Sequence, residues 1–179
     1  MTTEAETTET PEAAGDEQAQ QMQAPPFMIM HQFMKDLSFE NPYGEKIFRN
    51  DDFKPDIKIK VDVTAQNLEG RDFEVSLHLS AESHSNETLT YMVELVYSAI
   101  VRVGDIPPEH LQPLLLIEIP RQTFPFARNI LADAVREGGY EMVMLAPIDF
   151  GHLYQQKFLA MQEAEKQAEA DGATNEDAS

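Results

Sequence analysis

Cysteine is absent from the 179 residues, which removes disulfides, Cys-ligated zinc, iron–sulfur clusters and thiol nucleophiles together. Base is scarce: 13 Lys+Arg stand against 32 Asp+Glu, a formal net charge of −19. Such a field repels phosphate backbones, so nucleic acid is excluded as a partner bound through counterion release. No apolar run approaches the roughly 18 residues of a membrane span, and the N-terminus lacks the basic stretch of a secretory signal. The composition therefore predicts a cytoplasmic protein, not inserted in a membrane, that meets basic or apolar partners. Phosphate loops, nucleophile elbows and dinucleotide fingerprints are missing too, and His31, His78, His84, His110 and His152 form no metal-ligand spacing. No catalytic residue, metal or cofactor is indicated, and His78 reads as a solvated surface residue.

What is present is unevenly placed. Residues 1–26 hold six acids and no base, and residues 162–179 hold six acids and one base, Lys166. Both ends are rich in Thr, Glu, Gln and Ala and bury too little apolar surface to offset chain entropy, so they read as disordered acidic tails. All 15 aromatic residues fall in 27–161, which reads as the single folded domain.

Within it the period is first two, then 3.6. Ile57, Ile59, Val61 and Val63 alternate with charged residues; Phe73, Val75, Leu77 and Leu79 alternate with the polar Glu74, Ser76, His78 and Ser80; every odd position from Leu89 to Val103 is apolar. These are strands of an antiparallel meander with one buried face. Residues 28–40 read as a further strand, with Leu37 and Phe39 on one side and Asp36, Ser38 and Glu40 on the other. The stretch 106–120, with Pro107, Pro108, Pro113 and Pro120, reads as a loop with at most short turns. A helix follows over 124–138, capped by Thr123 and stopped at Gly138-Gly139. A last helix starts near Asp149, with Phe150, Tyr154, Phe158 and Met161 as its stripe. Strands first and helices second make an α+β domain.

Two features carry function. Asp36 and Glu40 share a strand face, and Glu94 with Met92 stands on the open side of another strand. Three carboxylates on one flat face are either ordinary solvated charges or a docking surface for a basic partner. The connection 41–55 carries Tyr43, Ile47, Phe48 and Phe53. It either packs on the core or lines an apolar groove with Phe150, Leu153 and Tyr154 of the last helix. The corresponding functions are a binder of unfolded chain or a structural adaptor that docks one basic folded protein.

The stretches K-D-L-S-F-E-N-P (35–42), F-P-F-A-R (124–128) and L-A-P-I-D-F-G-H-L-Y (145–154) resemble the SecB family of bacterial export chaperones, in order, over about residues 30–160. Phe53 stands where that family commonly has Trp, and the N-terminal tail is longer than usual. The resemblance implies a four-stranded antiparallel sheet, a long crossover connection after the first strand, and two C-terminal helices on one face. It also implies a homotetramer, a dimer of dimers, that holds unfolded preproteins without ATP and passes them to the SecA motor. By motif position, SecA docking falls to Asp36, Glu40, Met92 and Glu94. The client groove falls to Tyr43, Phe48, Phe53, Phe150 and Tyr154.

Overall fold

Strands β1 (Phe27–Glu40), β2 (Asp56–Glu69), β3 (Asp72–Ser85) and β4 (Thr88–Val103) form one antiparallel sheet in the order β1-β4-β3-β2. The computed structural model describes residues 25–47, 49, 54–85 and 87–159. The acidic tails lie outside these residues apart from Pro25 and Pro26, and so do Phe48 and Phe53. β1 and β2 occupy opposite edges, although they are consecutive in the chain. The short helix α1 (Gly44–Ile47) follows β1, with Ile47 buried.

Alternation in β3 and β4 is the alternation of burial. Val75, Leu77, Leu79 and Ala81 face the helices beside Val93, Leu95, Ala99 and Val101, all at most 2% exposed. The other face, carrying Glu74, His78, Glu82 and Glu94, is open. β1 keeps neither phase throughout. Its register against β4 shifts between Ile29 and His31 and again between Met34 and Asp36. Each bulge adds one residue and exchanges the faces, so the core side of β1 reads Phe27, Ile29, Gln32, Met34, Leu37 and Phe39.

The proline-rich stretch is helical, against the expectation of a loop. Helix α2 (Pro108–Pro113) runs into a π-helical turn (Leu114–Glu118) and then into α3 (Ile119–Glu137). Pro108 occupies the first turn, where a missing N–H costs nothing. Pro113 and Pro120 flank the π turn, where the hydrogen-bond ladder widens from i→i+4 to i→i+5. Burial of Leu114, Leu115 and Ile119 against the sheet holds this irregular turn in place. Thr123 is therefore no N-cap: it lies inside the helix, buried, and its Oγ1 donates to the carbonyls of Ile119 and Pro120 at 3.2 and 3.3 Å.

α3 packs Ile119, Phe124, Ala127, Leu131 and Val135 onto the sheet and ends at the expected glycine pair. Gly139 supplies the left-handed residue, with φ 89°. Gly138 serves close approach instead, since a Cβ there would sit 2.1 Å from Cζ of Phe39. Gly138→Ala is expected to lower stability by about 1–3 kcal/mol, the range for an overpacked core, and Phe39→Leu to recover part of it. Denaturant midpoints of the two single variants and the double variant check this.

Beyond the glycines, Tyr140 clamps the chain to the sheet end. Its hydroxyl donates to Asn41 Oδ1 at 2.9 Å and to the Thr90 carbonyl at 3.2 Å. Its ring lies 4.6 Å from that of Tyr91, which stacks on Phe39. The last helix, α4, covers 150–159 of the described residues. Asp149 caps it, accepting the His152 N–H on Oδ1 at 3.0 Å.

Candidate functional site

Two surfaces stand on opposite sides of the sheet. The first is its open face. Asp36 pairs with Val96, Ser38 with Glu94 and Glu40 with Met92, and residues directly opposite in an antiparallel ladder share a face. The expected docking residues Asp36, Glu40, Met92 and Glu94 thus come together in one strip across β1 and β4. The three carboxylates are exposed and Met92 is half-buried. None of the three has an ion pair among the described residues.

The neighbouring strand is different. Arg102 grips Asp72 bidentately, Nε and Nη2 each 2.7 Å from a carboxylate oxygen. Lys35 pairs with Glu74, and Lys60 with Glu82 at 2.9 Å. Hydrogen bonds from these cations hold all three carboxyls below their ordinary range, against the opposing effect of desolvation. His78, expected to be solvated, is half-buried on this face, its Nε2 3.0 Å from Thr64 Oγ1.

The second surface is an apolar groove on the helix side. α4 lies across the start of the helical run, leaving a cavity of about 410 Å³ lined by Val63, Phe73, Leu111, Leu115, Leu116, Tyr154 and Phe158, among others. The rings of Tyr154 and Phe158 stack at 6.2 Å, and the Tyr154 hydroxyl donates to Gln112 Oε1 at 3.2 Å. Lys157 pins α4 to the β2 edge, its Nζ donating to Asp62 Oδ1 at 2.7 Å and to the Val63 carbonyl at 3.1 Å.

Of the described residues expected to line a client groove, which are Tyr43, Phe150 and Tyr154, the structure brings Tyr154 to this cavity. Phe150 faces inward: it is 1% exposed and meets Phe124 edge-on at 5.8 Å, so it supports α4 from beneath. Tyr43 is 45% exposed and stands apart, with the Lys46 ammonium over its ring. Phe48 and Phe53 lie outside the described residues. Leu111, Leu115 and Leu116 were hidden by reading their stretch as a loop. The signal that reveals them is the i, i+4 spacing of Leu111 and Leu115 behind a proline that starts a helix. Among the described residues no three His, Asp or Glu side chains gather as a metal site, and no helix is long and apolar enough to cross a membrane.

Comparison with known proteins gives this architecture a lineage. The family model described as Preprotein translocase subunit SecB matches residues 20–161. The Protein-export protein SecB of Rhodospirillum rubrum is 45% identical over 148 residues, 83% of this chain and 90% of that protein. That of Parvibaculum lavamentivorans is 42% identical over 144 residues, 80% of this chain and 86% of the relative. The chain belongs to the SecB family. SecB proteins are chaperones of protein export and not enzymes. Among solved structures, a SecB-like chaperone of Mycobacterium tuberculosis in complex with a ChAD peptide from an antitoxin superposes with a TM-score of 0.51 at 12% identity. The alignment covers 69% of this chain and 91% of that one, and the likeness is one of fold.

Proposed function

We propose that this SecB chain holds non-native precursor polypeptides for export in its apolar groove, without nucleotide, and hands them to the SecA motor through the acidic strip. The observation that carries the reading is the separation of the two surfaces. The groove at Tyr154 and Phe158 lies on the helix side, and the strip at Asp36, Glu40, Met92 and Glu94 lies on the open face. A client and a basic docking partner therefore need not compete. An unfolded segment offers apolar side chains, and a cavity of leucines and aromatic edges accepts many sequences, because its contacts are non-directional. Tyr43, and with it Phe48 and Phe53 of the same connection, extends the client surface in this reading.

A cytoplasmic homotetramer, a dimer of dimers, completes it. The outer edge of β1 is unpaired among the described residues, and the strand leaves Met28 on its open face and Met34 and Leu37 on its core side each at least 37% exposed. A long apolar edge of that kind invites a second strand. Phe126, 53% exposed, stands on the outer side of α3. Several grooves in one assembly let a long client bind at more than one point, which raises its effective concentration at each.

The expected outcome is that the protein suppresses aggregation of an unrelated denatured protein, followed by light scattering, at stoichiometric amounts and with no nucleotide present. Undiminished aggregation would instead mark the chain as an adaptor and end the chaperone reading.

A further inference from the structure

The open face treats its acids in two ways. On β3 each one is neutralised: Asp72 by Arg102, Glu74 by Lys35, Glu82 by Lys60. On β1 and β4, Asp36, Glu40 and Glu94 have no ion pair among the described residues. The boundary between these treatments runs through two consecutive residues, Lys35 and Asp36. In a regular strand neighbours point to opposite faces. The second bulge of β1 falls at Lys35, so that Asp36 stands opposite Val96 on the open face while Lys35 reaches across β4 on the same face to Glu74. Between them the face sinks into a depression of about 410 Å³, lined also by Thr64, Gln66 and Ser76. Ser76 Oγ donates to Glu74 at 3.3 Å, so the carboxylate is held from two directions.

We propose that Lys35 is a specificity-determining residue for docking. By neutralising Glu74 it confines the cation-attracting part of the face to the Asp36–Glu40–Glu94 strip, and so sets where and how tightly a basic partner seats. The inference rests on the strip being a docking surface. β1 and β3 are two strand spacings apart, about 10 Å, which is close to the Debye length of about 8 Å at physiological ionic strength. An interface of standard size, about 800 Å² per partner, covers both. A bare Glu74 would therefore add to the attraction of the strip, and a bare Lys35 would subtract from it.

A double-mutant cycle on the full chain, read as affinity for purified SecA at low salt, tests this. Lys35→Met tightens docking about threefold, Glu74→Gln weakens it about threefold, and the double variant returns to the parent value; these are the sizes of exposed charge pairs. All three differences shrink at about 1 M salt. A pair that merely braced the sheet would weaken docking in both single variants, and that result overturns the proposal, as does Lys35→Met binding with unchanged or lower affinity. Thermal melts of each variant separate altered docking from altered folding. Asp36→Lys with Glu40→Lys, measured alongside, tests the docking surface itself. Indifference of SecA to that variant removes the docking reading, whereas a response to it combined with a flat cycle removes only the role of Lys35.

Discussion

Reversing Asp36 and Glu40 to lysine weakens docking on SecA by about 100-fold or more at low salt while client holding is unchanged. The size follows from charge. The strip carries three carboxylates, and the double reversal replaces two of them with ammonium groups, so attraction to a basic partner becomes repulsion at two points. Close charge pairs across interfaces couple at about 1.5 kcal/mol or more each, and 1.4 kcal/mol is a factor of ten in affinity. Both side chains are exposed and neither has an ion pair among the described residues, so the fold loses nothing that holds it. Lysine on an edge strand is well tolerated. The loss should fade as salt rises, because exposed charges are screened. Equal affinity of parent and variant at low salt would take the docking role from these residues.

Tyr154→Ser with Phe158→Ser lowers affinity for an unfolded client by about 10- to 30-fold and leaves SecA docking intact. These rings form one wall of the groove, and Phe158 is 47% exposed. Covering the remaining surface of two aromatics with client chain gains about 1 kcal/mol each at about 25 cal/mol per Å². The structural cost is small, since Tyr154 is half-buried and loses one hydrogen bond, to Gln112. Phe150→Ala is the wrong test although it lies on the same helix. Its ring is buried against Phe124, and truncation there reports the core. Client affinity that survives the Tyr154 and Phe158 changes would move the groove elsewhere on the chain, with the connection around Tyr43 the next place to look.

Legibility differed sharply between elements. Strands β2 and β3 could be read because each alternates apolar and polar residues, and β4 because its odd positions are all apolar; burial follows the pleat in β3 and β4, while Ile59 on the edge strand β2 stays 45% exposed. The end of α3 could be read because Gly138-Gly139 is a local stop. Helix α4 began where Asp149 promised, because a cap is a contact between residues three apart. The stretch 106–120, read as a loop, is helical from Pro108 on for a physical reason. Four prolines oppose regular helix locally, and only burial of Leu114, Leu115 and Ile119 on the sheet, with a π turn between Pro113 and Pro120, makes the helix worthwhile. Phe150 and Tyr154 look alike in a helical stripe, yet one is sealed under Phe124 and the other lines a groove.

Sequence alone determined the acidic character, the lack of thiols, the order of strands before helices, and the family, because these reside in composition, local period and short motifs. Tertiary structure decided which residues share a surface. The acidic strip exists because β1 pairs with β4 instead of with its sequence neighbour β2, and because a bulge at Lys35 turns Asp36 outward. The groove exists because α4 lies over leucines from a helix that local propensity disfavours. Both depend on contacts between residues far apart in the chain, and such contacts are set by the packing of the whole domain, which no local pattern encodes.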